Sequence, residues 1–164
     1  PGGARNILRD DPLRRWPIEH YAELARRLSS NGYEVVILGG PNDKWVSSYF
    51  SEVPVFDIVG KTSLRNMVGV LDKASCVIAH DSGPLHLTSI TSSPLVAIFG
   101  PTPANAVLSF SRPNTIILRS ENRVSCSPCY DGQGYADCKK ALCLESISVE
   151  KVVGAVDSLL KAYE

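Results

Sequence analysis

Short apolar runs alternate with amphipathic stretches along this chain of 164 residues, and that alternation predicts β/α units around a mainly parallel sheet. The runs at 33–38, 55–59, 76–79, 95–99 and 115–118 are brief, and most are rich in valine and isoleucine, as strands covered on both faces should be. Between them the spacing turns helical. Ile18, Tyr21, Ala22, Ala25 and Leu28 fall on one face after Trp16-Pro17, and Asn31-Gly32 supplies the stop. Ser63 is placed to cap a second helix carrying Leu64, Met67, Val68 and Leu71. A last helix sets Val152, Val156, Leu159, Leu160 and Tyr163 on one stripe. No internal repeat or low-complexity linker is present, only an irregular Cys-rich insert at about 125–145.

The expected fold class is therefore α/β, a Rossmann-like doubly wound sheet in a single domain over 1–164. The start of the chain sits awkwardly with this fold. Pro1-Gly2-Gly3 is a Gly-rich loop of the kind that follows a strand in such a unit, and that strand lies in the middle of the sheet. Either that strand lies before Pro1, or residues 6–9 partly substitute for it. The chain has no initiator methionine and Met67 is its sole methionine, so it reads as a piece of a longer protein. Seventeen basic and seventeen acidic residues cancel, leaving no global field for nucleic acid or an anionic membrane. No apolar run approaches the ~20 residues of a membrane span, and no signal-peptide pattern opens the chain. The expectation is a soluble, cytoplasmic domain.

In an open α/β sheet, ligands bind at the carboxyl ends of the strands. Four successive predicted strands are followed by Gly39-Gly40-Pro41-Asn42-Asp43, Gly60-Lys61-Thr62-Ser63, His80-Asp81-Ser82-Gly83 and Gly100-Pro101-Thr102-Pro103. Any one of these is ordinary turn chemistry. Four on one rim make a binding crevice the better reading. The third is the richest, because His80-Asp81-Ser82-Gly83-Pro84-Leu85-His86 joins a strand to a helix. Ser82 can cap that helix, Gly83 lets a ligand approach the backbone, and Pro84 fits a first turn where its missing N–H costs nothing. Free amides and the helix dipole suit a phosphate there. Asp81 before the turn and His86 one turn into the helix add side-chain contacts, and the combination suits a sugar nucleotide.

Arg14-Arg15-Trp16-Pro17 can bring arginines into the same crevice to pair with a diphosphate; the plainer alternative is a solvated basic pair beside a packing tryptophan. His80 alternates to the other side of the strand end, His20 falls on a surface helix, and Cys76 reads as strand core. Cys126, Cys129, Cys138 and Cys143 leave three alternatives open: zinc or another metal, two disulfides, or reduced thiols packing a small loop. No metal ligand is assigned. No P-loop, GxGxxG, metal-binding carboxylate cluster or nucleophile beside a base is present, which suits a domain that holds a donor and leaves part of the reaction to another.

These motifs, in their order, resemble the C-terminal half of glycosyltransferase family 9, the ADP-heptose:lipopolysaccharide heptosyltransferase family. The resemblance runs almost end to end, through Pro1-Gly2-Gly3-Ala4, Arg14-Arg15-Trp16-Pro17, Gly39-Gly40-Pro41, Gly60-Lys61-Thr62-Ser63-Leu64, Asp81-Ser82-Gly83-Pro84-Leu85-His86-Leu87 and Phe99-Gly100-Pro101-Thr102. The Cys126-Ser127-Pro128-Cys129 segment is similar to one found in some members. The resemblance implies the GT-B arrangement, with two Rossmann-like domains flanking a cleft, and metal-free, inverting transfer of a heptose from an ADP-sugar to the lipopolysaccharide core. No cofactor is implied. The acceptor site and the catalytic base belong to an N-terminal domain absent from this chain, and peripheral association with the inner membrane is compatible with that acceptor. By position Ser82, Gly83, Pro84 and Leu85 would serve the diphosphate. Asp81 would meet sugar hydroxyls, with His86 near the sugar or diphosphate. Arg14, where the family often has lysine, would neutralise the leaving phosphate. Thr62 would contact the adenine edge, Asp43 the ribose, and Thr102 the donor from the fourth rim loop. The rival readings are an epimerase-like sugar-nucleotide domain, whose fold also carries an Asp-Ser-Gly turn, and a non-catalytic nucleotide- or metal-binding module.

Overall fold

In the computed structural model, which describes residues 1–3, 10–108, 112–120 and 124–162, the predicted alternation is present, with shifts at the element ends. Helix α1 (Ile18–Ser30) buries Tyr21, Ala22, Leu24, Ala25 and Leu28. It ends at Asn31, followed by Gly32 at φ 89°, a left-handed stop. Helix α2 (Leu64–Lys73) starts where the Ser63 side chain accepts the Asn66 N–H at 3.2 Å. A short α3 (Gly83–Thr88), a single turn α4 (Leu142–Glu145) and α5 (Val149–Lys161) complete the helices. Ser148 caps α5, which buries Val152, Val156 and Leu159. Tyr163 and the alternative first strand at 6–9 lie outside the described residues.

The strands are β1 (Val35–Ile37), β2 (Val55–Asp57), β3 (Val77–His80), β4 (Leu95–Ile98) and β5 (Thr115–Leu118). Every described pairing is parallel. β1 pairs β2, with Val35 opposite Val55, and β4 sits between β3 and β5, with Leu95 opposite both Val77 and Thr115. The mainly parallel sheet is thus present as a pair and a triplet. Cys76, expected inside a strand, just precedes β3 and is half-buried; burial pushes its thiol up to about 11. Between β1 and β2 runs a ten-residue 3-10 segment, Pro41–Phe50, which the apolar pattern does not announce.

β4 shows why the triplet holds. Leu95, Val96, Ala97 and Ile98 are all fully buried, and alternate residues serve two cores. Val96 and Ile98 pack with Leu24 and Leu28 of α1 and Val152 and Val156 of α5. Leu95 and Ala97 pack with Met67 and Leu71 of α2 and Leu85 of α3. Helices on both faces are what turn every β4 position apolar. Trp16 closes the α1 side: its ring is buried and Nε1 donates to the Ile147 carbonyl at 2.9 Å.

Candidate functional site

The 3-10 turn Pro12–Arg14 and the carboxyl end of β3 meet at one carboxylate. Arg14 Nη2 stands 2.9 Å from Asp81 Oδ1 and donates to the Asp81 carbonyl at 3.1 Å, while Nη1 lies 3.4 Å from Asp11 Oδ2. His86, one turn into α3 and half exposed, places Nε2 4.0 Å from the same Asp81 oxygen. Arg14, from one motif, and Asp81 and His86, from another, therefore converge. Burial works against charge on Arg14, but Asp81, with contributions from Tyr135 and Asp11, outweighs it and holds the guanidinium pKa above its ordinary value.

The turn after Asp81 departs from expectation in two respects. Ser82 occupies the cap position of α3, yet its hydroxyl donates backward to the His80 carbonyl at 3.0 Å and does not cap the helix. Leu85 is fully buried and its amide donates to Ser82 O at 3.0 Å, so it packs the core and offers the diphosphate neither side chain nor N–H. Gly83 opens onto empty space, with nothing within 4 Å of where a Cβ would stand, and Pro84 follows it in the first turn. With six residues, α3 is also a short dipole.

The opening loop reaches both halves of the rim. A Cβ on Gly2 would stand 2.5 Å from Asp43 Oδ1, and one on Gly3, at φ 34°, would stand 2.6 Å from Ser82 Cβ. Only glycine passes between these neighbours. Arg15 holds the loop, donating from Nε to the Gly2 and Gly3 carbonyls at 2.7 and 2.9 Å, with its guanidinium over the Trp45 ring. It therefore serves the backbone, not the crevice. Asp43, the candidate ribose contact, accepts the Gly40 N–H at 2.8 Å and organises the turn after β1.

Several buried polar atoms on this rim lack a hydrogen-bond partner among the described residues: Arg14 Nε, Asp81 Oδ2, Thr62 Oγ1 and Thr102 Oγ1. His80 belongs to the scaffold instead. The Tyr21 hydroxyl accepts the His80 backbone N–H at 3.2 Å and is hydrogen-bonded to Nδ1 of the same residue at 3.0 Å. Burial above all, with the nearby Arg15 and Arg14 adding, holds this imidazole well below its usual pKa.

The Cys-rich insert is pinned to the fourth rim loop. Cys129 and Tyr130 N–H groups donate to the Pro101 carbonyl at 2.9 and 3.0 Å, and Ser127 Oγ donates to Gly100 O at 3.0 Å. Arg119 Nη2 and Nη1 donate to the Gly100 and Thr102 carbonyls at 3.0 and 3.2 Å. Within the insert, Asp131 Oδ1 accepts the Gln133 and Gly134 N–H groups, each at 2.8 Å. That turn brings the Tyr130 and Tyr135 rings to 5.0 Å, with Tyr135 in electrostatic range of Arg14. The sequence reading missed Tyr135 and Arg119; the Tyr-Asp-Gly turn signal was the cue available for the first. All four insert cysteines are free thiols, and burial, with Cys129 and then Cys138 adding, pushes the Cys143 thiol up. Among the described residues no group of three or more His, Cys, Asp or Glu could hold a metal ion, and no helix is long and apolar enough to cross a membrane.

A family model described as glycosyltransferase family 9 (heptosyltransferase) matches residues 9–139. The chain belongs to glycosyltransferase family 9. Lipooligosaccharide heptosyltransferase 2 of Haemophilus influenzae is 34% identical to this family 9 chain over 120 residues, which is 69% of the chain and 35% of that protein. Among solved structures, E. coli ADP-heptose lps heptosyltransferase II superimposes with a TM-score of 0.72 at 26% identity, covering 93% of this chain and 44% of that one. A family 9 glycosyltransferase from Veillonella parvula gives 0.76 at 27%, covering 96% and 45%. The family 9 chain thus spans less than half the length of these relatives. Its parallel α/β architecture and these neighbours make it a Rossmann-like domain of the kind found in that family.

Proposed function

We propose that this family 9 chain is the donor-binding part of an inverting heptosyltransferase of lipopolysaccharide core biosynthesis, and that its rim takes an ADP-heptose-type nucleotide sugar. One observation carries the reading. Arg14 Nε, Asp81 Oδ2, Thr62 Oγ1 and Thr102 Oγ1 are buried on the strand-end rim without hydrogen-bond partners among the described residues. Each such group costs about 1–3 kcal/mol unless something satisfies it. A ligand with a charged diphosphate and many hydroxyls offers complementary groups.

The roles follow from chemistry. Arg14, whose guanidinium faces Asp81, draws the diphosphate; Asp81 Oδ2 accepts from sugar hydroxyls; Gly83 leaves room for close approach, with Ser82 and Pro84 beside it. Thr62 and Thr102 contact the donor from neighbouring loops, and Asp43 shapes the ribose side. In the transfer step an acceptor hydroxyl oxygen forms a bond to the anomeric carbon while the bond to the β-phosphate oxygen breaks. The electron pair leaves with ADP, and Arg14, aided by His86, stabilises that charge. The acceptor proton passes to a base on the part of the enzyme that carries the acceptor site. Single displacement inverts the anomeric centre. A nucleotide-sugar donor and a lipid-anchored acceptor place the reaction at the cytoplasmic face of the inner membrane.

Titration calorimetry of the chain with ADP, UDP and GDP tests the donor assignment. ADP should bind best and Arg14→Ala should weaken it at least ~10-fold, the worth of one charge-assisted hydrogen bond. A preference for UDP, or ADP affinity unchanged by Arg14→Ala, overturns it.

A further inference from the structure

Asp11 is only 6% exposed and stands beside the guanidinium that draws the diphosphate. Its carboxylate is not spent on the turn it precedes. Asp11 holds the cap position of the 3-10 turn Pro12–Arg14, with no side-chain cap hydrogen bond. A buried carboxylate is costly unless it is paired, and any anion held by Arg14 is also close to Asp11 and repelled by it. An acid in this place needs a gain that offsets both costs.

The backbone shows where that gain arises. The Asp11 carbonyl accepts the Arg14 N–H at 3.1 Å. In such 3-10 geometry side chains three positions apart eclipse, and Pro12 between them presets its own φ. Asp11 Oδ2 is thereby brought 3.4 Å from Arg14 Nη1. Asp81, after β3, engages the other terminal nitrogen: Nη2 is 2.9 Å from Oδ1 and donates to the carbonyl at 3.1 Å. Held at Nη2 only, a guanidinium still turns about that anchor. Held at Nη1 as well, its plane is fixed. Neither anchor uses Nε, which is buried without a hydrogen-bond partner among the described residues.

We propose that Asp11 is a positioning residue for the donor: it takes Nη1 so that Arg14, held by Asp81 at Nη2, meets the diphosphate with its plane already fixed. The proposal rests on the donor reading of the rim. An arginine that is free in solvent surrenders rotamer freedom when it grips a ligand, and one ordered beforehand does not. What the carboxylate contributes is order, and what it costs is repulsion. Substitution separates the two. Asn keeps an oxygen acceptor and loses the charge, whereas Ala loses both, so a comparison of Asn with Ala isolates the acceptor.

The test is titration calorimetry with ADP on Asp11→Asn and Asp11→Ala, each made alone and together with Arg14→Met. With Arg14 present, the Asn variant should bind ADP about 3- to 10-fold more tightly than the Ala variant, the worth of ordering one long side chain in advance. With Arg14→Met the two should bind ADP equally, because no guanidinium is left to position. An Asp11 that only supports the fold would keep the difference on that background. Urea midpoints check that each variant is folded. Where Asp11→Ala is not, Asp11→Leu fills the same buried space without an acceptor and makes the same comparison. Equal affinity of the two variants with Arg14 present, or an unchanged gap with Arg14→Met, overturns the proposal. Arg14→Met alone binding ADP as well as the parent overturns the donor reading, and the proposal with it.

Discussion

Asp81→Asn keeps the shape of the side chain and removes the charge that Arg14 faces. With charge centres about 4 Å apart and an effective dielectric near 20, the pair interacts by roughly 4 kcal/mol, against which both groups have been taken from water. Removing one partner of a fully buried pair costs ~3–5 kcal/mol. Arg14 is partly relieved, since its side chain is 18% exposed, Asp11 Oδ2 stays at 3.4 Å and the carbonyl of residue 81 still accepts its Nη2. The expected loss is therefore about 1–3 kcal/mol, read as a lower urea midpoint at unchanged slope. Arg14→Met keeps much of the stem packing and completes a double-mutant cycle, in which the two losses should couple by ~1–2 kcal/mol.

The same variants should pull nucleotide binding apart. Asp81→Asn frees Arg14 from its internal partner, so ADP binds the chain as well as or better than before even though the fold is weaker. Arg14→Met should cost at least ~10-fold in ADP affinity. An Asp81→Asn change within ~0.5 kcal/mol of the parent, strictly additive losses in the cycle, or parallel loss of ADP affinity in both variants would refute the reasoning.

Three further outcomes follow from single contacts. Trp16→Phe strands the Ile147 carbonyl that now accepts Nε1 at 2.9 Å and leaves a small void, for an expected loss of about 2–3 kcal/mol by urea unfolding. Gly3→Ala forces a Cβ to within 2.6 Å of Ser82 Cβ and 3.1 Å of His80 Nε2 at a left-handed φ; stability should fall by more than ~1 kcal/mol and ADP affinity with it, by calorimetry. His80 is held neutral, its pKa well below 6.5, chiefly by burial. The unfolded chain takes up that proton near 6.5 and the folded one does not, so this stability is complete above 6.5 and drains as pH falls toward the folded value. His80→Gln should flatten the slope of stability between pH 6.5 and 5 by up to ~1.4 kcal/mol per pH unit, measured by urea midpoints.

The elements were legible because their signals are local: a period, a cap, a glycine stop. Ser63 and Asn31-Gly32 act within one turn of chain, and the structure places both as the pattern predicts. The Arg14–Asp81 pair spans 67 positions, and the sequence could only bring the two to one rim through the rule for strand ends. Direction within a turn was less legible. Ser82 has two acceptable uses for its hydroxyl, the cap or the carbonyl behind it, and the tight passage of Gly3 beside its Cβ is a tertiary fact. Leu85 was expected to serve the diphosphate by its place in the motif, which says nothing of whether its amide is already taken by the Ser82 carbonyl. The role of Arg119 was hidden for a similar reason, since its partners are carbonyls on another loop.

Adjacent arginines do different work here, and the difference ties the site to the seam between the sheets. Arg15 fixes the carbonyls of Gly2 and Gly3, and that loop is wedged between Asp43, after β1, and Ser82, after β3. Arg14, next in line, ends a 3-10 turn and faces Asp81. A shift of the seam would therefore move the loop, both arginines and the polar rim together. Ligand affinity and the cohesion of the two sheets should then rise and fall as one quantity, because whatever binds across the rim gains only from the joined arrangement.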